Sequence, residues 1–245
     1  MVIYSCGWEC IFMASREEFV KALNSILYNL SDEDVTFVRN NIDLLSKCNK
    51  DALRNFLNQM LIKEDINTSL KVLVKSGILF FIIPELKPLV DLEQPNKYHD
   101  YDAFGHTMEA VKYSENDLVL RLSMLLHDVG KPDTYNKDEE GKITFYGHPL
   151  KGERIAYKIL NRLGYNKNLV NEVCMYVRHH MDYAPTEKSF NKMLKELGND
   201  ISKVDKLLKV KLYDSYASKG ENSELADYAR NIDGEYRKIL SKYQR

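Results

Sequence analysis

The chain is predicted to be all-α, and three features of the sequence predict it. Apolar residues recur at helical spacing from about residue 15 nearly to the C-terminus. Capping signatures precede several of these runs. The 11 glycines and 6 prolines are too few for a turn-rich all-β chain.

The elements follow in order. Ser15 with Glu18 forms a capping-box signature, and Phe19, Leu23, Ile26, Leu27 and Leu30 follow at helical spacing. Ser31 with Asp34 opens a second helix carrying Val35, Val38, Ile42 and Leu45. Asp51 starts a third, with Leu53, Phe56, Leu57, Met60 and Leu61. Thr68 opens a fourth, which Gly77 ends. The apolar run Ile78 to Ile83 fits a buried helix or a strand, and Pro84 stops it. Pro84, Pro88 and Pro95 mark residues 84–102 as a loop between two lobes. Helices are expected at 103–114, 117–129, 149–163, 167–181, 187–197, 201–219 and 222–243. The one plausible β-hairpin lies within 134–146, where Asp138-Glu139-Glu140-Gly141 precedes Ile143, Phe145 and Tyr146. The chain thus divides into an apolar segment at 1–14, a helical lobe at 15–95 and a histidine-bearing helical region at 96–245.

Composition narrows the function classes. A net charge of −1 recruits neither nucleic acid nor an anionic membrane, so RNA, if bound, needs a local patch. The segment Lys188, Lys192, Lys195, Lys203, Lys206, Lys209 and Lys211 is the candidate. Glu187, Glu196, Asp200 and Asp205 interleave with it, so a solvated face is the default reading. No apolar run approaches the ~20 residues that span a bilayer, so no membrane partner is expected. Residues 1–14 lack a basic n-region, and Glu9 interrupts them, which argues against a signal peptide. Cys6 and Cys10 would be half of a zinc site with no other half nearby, so reduced cysteines and a cytoplasmic location are expected.

The histidines point to chemistry. All six lie between residues 99 and 180: His99, His106, His127, His148, His179 and His180. Imidazole and carboxylate together suit first-row transition metals, and a cluster spread over several helices can hold two ions. His127 and Asp128 are neighbours, so on a helix they point ~100° apart. Both reach one metal only at a helix end. Gly130 stands where a C-terminal cap belongs, and Pro132 forbids continuation. Asp214 lies seven residues after Leu207, about 20° from its direction, and so shares an apolar face. A buried carboxylate is costly unless paired or metal-bound. His148 precedes Pro149 and so sits near a helix N-terminus. His179 and His180 end the helix carrying Val170, Val173, Cys174 and Val177, and His99 has no motif partner.

The motifs Phe104-Gly105-His106-Thr107, Leu125-Leu126-His127-Asp128-Val129-Gly130-Lys131-Pro132, Phe145-Tyr146-Gly147-His148, Val177-Arg178-His179-His180-Met181 and Asp214 resemble the HD superfamily of metal-dependent phosphohydrolases. The branch resembled is the HD domain at the C-terminal end of bacterial tRNA nucleotidyltransferases. The resemblance covers roughly residues 50–220, including Gly77 to Leu86 and Glu93-Gln94. It implies an HD helical bundle at 96–245 that holds one or two divalent transition metal ions (Mn, Fe, Co or Ni). His106, His127, Asp128 and Asp214 would hold the first. Asp128 would bridge to a second, completed by His148, His179 and His180.

The implied activity is attack of a metal-bound hydroxide on nucleotide-type phosphates such as 2′,3′-cyclic or 2′-phosphates. Asp128 and Lys131 would be catalytic, and Lys131, Arg178 and Lys151 would contact the substrate. No Gly-Gly phosphate turn occurs, and the stretch before residue 50 is too short for a nucleotidyltransferase head, so nucleotide addition to tRNA ends is not implied. The competing classes are an HD-type di-iron oxygenase, separable by iron content and oxygen consumption, and a non-catalytic RNA-binding module, separable by metal content.

Overall fold

The structure is a computed structural model describing residues 14–28, 31–95, 99–181 and 186–243. The readings of residues 1–13, including Cys6 and Cys10, and of the Ser15 side chain lie outside that description. The fold is all-α with one small antiparallel pair of strands. Two compact units form: Met1–Lys87 with Lys158–Asn166, and Pro88–Tyr157 with Lys167–Arg245.

In the first unit, α1 (Ala14–Tyr28), α2 (Asp32–Asn40), α3 (Lys50–Leu61), α4 (Ile66–Lys75) and α5 (Ile78–Ile82) follow one another. Ser31 caps α2 by accepting from the Asp34 amide. That helix stops at Asn41, and a 3-10 turn at Ile42–Lys47 carries Leu45 into the core, where a continuous helix was expected. Two starts also move upstream, because Asn49 and Asp65 are the side chains that cap α3 and α4. Thr68 is the group that Asp65 caps. The apolar run after Gly77 is helix, too short to have shown a period in the sequence. A 3-10 turn at Pro84–Leu89 begins the segment expected to be loop.

The second unit holds the histidines. Its helices are α6 (Ala103–Tyr113), α7 (Leu118–Leu126), α8 (His148–Arg162, whose last residues belong to the first unit), α9 (Lys167–His179), α10 (Glu187–Glu196), α11 (Ile201–Lys219) and α12 (Glu224–Leu240). Helix α7 is buried and largely apolar, with Leu120, Leu122, Met124, Leu125 and Leu126 at 1% exposure or less and Arg121 and Ser123 its polar members. A helix of that kind belongs at the centre of its bundle. Helices α6, α9 and α11 all pack on it. Between α7 and α8, β1 (Asn136–Lys137) pairs with β2 (Ile143–Thr144) in the expected hairpin. Asp138 Oδ1 closes its turn by accepting from the Glu140 and Lys142 amides.

Gly130 does something other than the expected cap. It lies outside the left-handed region. It marks where the turn after α7 meets the first turn of α8. A Cβ built there would lie 2.3 Å from the His148 carbonyl oxygen and 2.5 Å from the Gly152 nitrogen. Gly152 faces it, with Gly130 N, the His127 carbonyl and Val177 around its own missing Cβ. Two glycines thus bring the start of α8, and with it His148, against the end of α7.

Cys48 and Cys174 are free thiols, and burial pushes both up to about 12, so neither is a ready thiolate at neutral pH. Among the described residues no helix is long and apolar enough to cross a membrane.

Gly130→Ala is expected to destabilise the protein by about 2–3 kcal/mol, because only backbone can move away from the new methyl. The melting temperature should fall by roughly 5–10 °C. Gly141→Ala is the comparison, since it meets nothing within 4 Å but carries a φ of +80°. It should cost about 1 kcal/mol. Equal, small losses in the two variants would remove the close-approach role from Gly130.

Candidate metal centre

Each functional side chain comes from a helix end or a face turned to α7. Asp102 caps α6 by accepting from the Gly105 amide, and His106 follows one turn in, fully buried. His127 caps the C-terminus of α7, and Asp128 lies on the turn beyond, where the Lys131 amide bonds back to the Asp128 carbonyl. Leaving the helix lets the two neighbours share one cavity. Gly147, with φ +81°, makes the turn that starts α8 at His148, a conformation glycine adopts without strain. His180 follows the last residue of α9, and Asp214 lies on the buried face of α11.

These residues form two groups that share Asp128. In the first, His106 Nε2 is 3.0 Å from His127 Nε2 and 2.9 Å from Asp214 Oδ1. Asp128 Oδ2 is 3.4 Å from His106 Nε2 and 3.2 Å from His127 Nε2. In the second, Asp128 Oδ1 is 3.3 Å from His148 Nε2 and 3.8 Å from His180 Nε2, and those two nitrogens are 3.1 Å apart. His106, His127 and Asp128 form one set that could hold an ion, and Asp128, His148 and His180 another.

The donor chemistry fits a metal. His127, His148 and His180 each direct Nδ1 at a backbone carbonyl, of Met124, Phe145 and Val177, at 2.7, 2.9 and 2.7 Å. A carbonyl only accepts, so Nδ1 carries the proton and Nε2 of the neutral ring is a bare lone pair. Two such lone pairs 3.1 Å apart, at His148 and His180, repel unless a cation lies between them. The carbonyls act as the outer partners that fix imidazole orientation in metal sites.

Residues 102–215 match the family described as HD domain. That segment is similar to the HD domain family. The CC-adding tRNA nucleotidyltransferase of Thermus thermophilus is 36% identical over 145 residues, 57% of this chain and 33% of that protein. The A-adding tRNA nucleotidyltransferase of Deinococcus radiodurans is 32% identical over 190 residues, 73% of this chain and 42% of that protein. A bifunctional uridylyltransferase/uridylyl-removing enzyme of Ruegeria pomeroyi is 29% identical over 198 residues, 69% of this chain and 21% of that protein. The matched part thus spans less than half of each of these relatives.

The field inside the cluster is uneven. Burial opposes a charge on His127, but the Asp128 and Asp214 carboxylates outweigh it and push the imidazole up to about 10. Burial would raise Asp128, yet the charges of His127 and Lys131 hold it well below the usual carboxylate range. Asp214 is likewise held low against its burial by the hydrogen bonds to His106 and His127. Burial pushes His180 down to about 3, so that ring stays neutral. The first group therefore offers a cation two carboxylates, and the second only the shared one.

The remaining sequence-predicted residues fall differently. Lys131 is buried, with Nζ 2.6 Å from Asp128 Oδ2, 2.5 Å from Gln94 Oε1 and 5.3 Å from the centre of the Phe145 ring. His179 is not brought to the cluster. It turns away to Glu196, Nε2 to Oε2 3.2 Å, because His179 is still the last helical residue of α9 and points ~100° away from His180. Lys151 pairs with Asp133 and Arg178 with Glu153, each half-exposed and held by a carboxylate. In the basic segment, Lys206 pairs with Asp117, Lys209 with Glu115, and Lys211 is buried over the Tyr236 ring. Two residues join the site that motif reading left aside. His99 packs edge-on against His106 at 4.9 Å, where burial and the nearby Lys131 and His106 push it down to about 3. Gln94 is buried and holds Lys131. Its signal in the sequence was only its place beside Glu93 in the stretch that resembles the family.

Metal titration followed by elemental analysis should show two ions, the tighter one in the group with Asp214. His148→Ala and His180→Ala should each remove the weaker ion and leave the tighter, and His179→Ala should remove neither. His106→Ala should weaken the tighter. Binding at pH 7 should release protons, because an ion must displace the one held on His127, and affinity should rise with pH until about 10. Calorimetry in buffers of differing ionisation enthalpy measures this. A single site indifferent to His148 and His180, with no proton release, contradicts the two-group reading.

Proposed function

We infer that the protein is a metal-dependent phosphohydrolase acting on nucleotide-type phosphates such as 2′,3′-cyclic or 2′-phosphates. The observation that carries the reading is the single buried carboxylate of Asp128, with one oxygen among His106 and His127 and the other between His148 and His180. One carboxylate with two imidazole groups is a frame for two adjacent cations. Mixed imidazole and carboxylate ligands favour Mn, Fe, Co or Ni over Mg, which prefers oxygen ligands and its own waters. When bound, such ions supply Lewis acidity at phosphorus and a nucleophile from water at neutral pH.

The chain's own residues do the rest. His106, His127 and Asp214 would hold one ion, and His148 and His180 the other, with Asp128 shared between them. Lys131 is held by Asp128 and Gln94, which leaves one ammonium N–H for a phosphoryl oxygen. Phe145 covers the lysine and dries its surroundings, which strengthens that contact. The relatives support nucleotide chemistry at the level of their names, since two are tRNA nucleotidyltransferases and one is a uridylyl-removing enzyme.

Chelation should abolish hydrolysis of 2′,3′-cyclic nucleotides and of an aryl phosphate, and Mn, Fe, Co or Ni should restore it where Mg does not. Asp128→Ala should lose activity on every substrate and lose metal with it. Lys131→Ala should keep its metal and lower turnover by a factor on the order of 10². Full activity in Mg alone, or a metal-loaded protein that cleaves neither substrate and instead consumes oxygen, would replace this reading with the oxygenase one.

A further inference from the structure

An open groove of about 890 Å³ lies in the second unit, between residues 91–95 and 100–102 on one side and the hairpin on the other. Gln94 lines it. The same Gln94 donates from Nε2 to the Tyr101 carbonyl and accepts at Oε1 from Lys131, which touches Asp128. The groove is thus joined to the metal centre by two polar contacts in series. We propose that it receives the nucleoside part of a mononucleotide substrate whose phosphate is at the metal centre; this rests on the phosphohydrolase reading.

The charges and shape of the lining select that class. Four carboxylates, Asp91, Glu93, Asp100 and Asp102, face two lysines, Lys137 and Lys142. The excess is negative, so the groove repels a second phosphate and disfavours a polynucleotide backbone. Several of these charges are already engaged. Glu93 pairs with Lys137, Asp100 with Lys219, and Asp102 accepts from two backbone amides. What they still offer are acceptor lone pairs, which suit ribose hydroxyls and base amino groups. Tyr101 lines the groove and is 50% exposed, which makes it the aromatic side chain there that a base can reach. The volume is in the range of small-molecule sites.

Tyr101→Ala, Tyr101→Trp and the wild type should be compared on adenosine 2′-monophosphate, on a small alkyl phosphate and on an oligonucleotide ending in the same phosphate. For Tyr101→Ala the KM for the nucleotide should rise about tenfold, with kcat, metal content and alkyl phosphate hydrolysis within twofold of wild type. Tyr101→Trp should restore the KM. The oligonucleotide should be the poorer substrate of the wild type. Equal changes on nucleotide and alkyl phosphate, no change on either, or a preference for the oligonucleotide overturns the proposal. Equilibrium binding of adenosine to wild type and Tyr101→Ala tests the groove without catalysis. Binding lost in the variant supports it, and no binding to the wild type overturns it. If metal-loaded wild type cleaves no phosphate yet binds adenosine through Tyr101, the phosphohydrolase reading fails and the groove stands.

Discussion

The second unit is organised around one buried negative charge. Asp128 is 1% exposed, and a carboxylate so deep is tolerable only with compensating charge and hydrogen bonds around it. Five nitrogens surround it, those of His106, His127, Lys131, His148 and His180. They come from α6, from α7 and the turn after it, from the start of α8 and from the end of α9. The helices cannot shift independently without exposing or orphaning that carboxylate. Largely apolar α7 supplies the packing that holds them, and the two glycines at 130 and 152 allow α8 to approach. Packing and electrostatics therefore set the same geometry.

That geometry also explains why the two ligand groups are unequal. Asp214 adds a second carboxylate beside His106 and His127 only. The surplus of negative charge is the reason His127 retains a proton to about pH 10, whereas His180, at the neutral side, gives its proton up by about 3. A proton and a metal ion compete for the same lone pairs. The group with Asp214 thus offers an ion the larger negative charge, and His180 offers a lone pair without proton exchange.

The fold class and most helices were legible because helical periodicity and caps are local signals. The helices bearing His106, His148, His180 and Asp214 follow from apolar spacing within one segment. What was not legible depends on contacts distant in sequence. Gly130 reads locally as a helix cap, and only the approach of His148 and Gly152 gives it another role. Ile42 and Leu45 keep a helical spacing although the chain tightens to a 3-10 turn, which preserves burial of Leu45. His179 and His180 are equivalent as letters, and the rotation of α9 decides which one meets Asp128. Gln94 lies 37 residues before Lys131, in a stretch without a period, so no periodicity could assign it to the site and only its place in the resembling stretch hinted at it.

Lys131 shows how one side chain can serve both stability and chemistry. As a solvated lysine at a helix end it would be a mobile phosphate contact. Buried between Asp128, Gln94 and Phe145, it is part of the charge balance of the centre. Under the proposed phosphohydrolase reading, an ammonium fixed in this way pays little further ordering cost on meeting a phosphoryl oxygen, which is the advantage of a preorganised site.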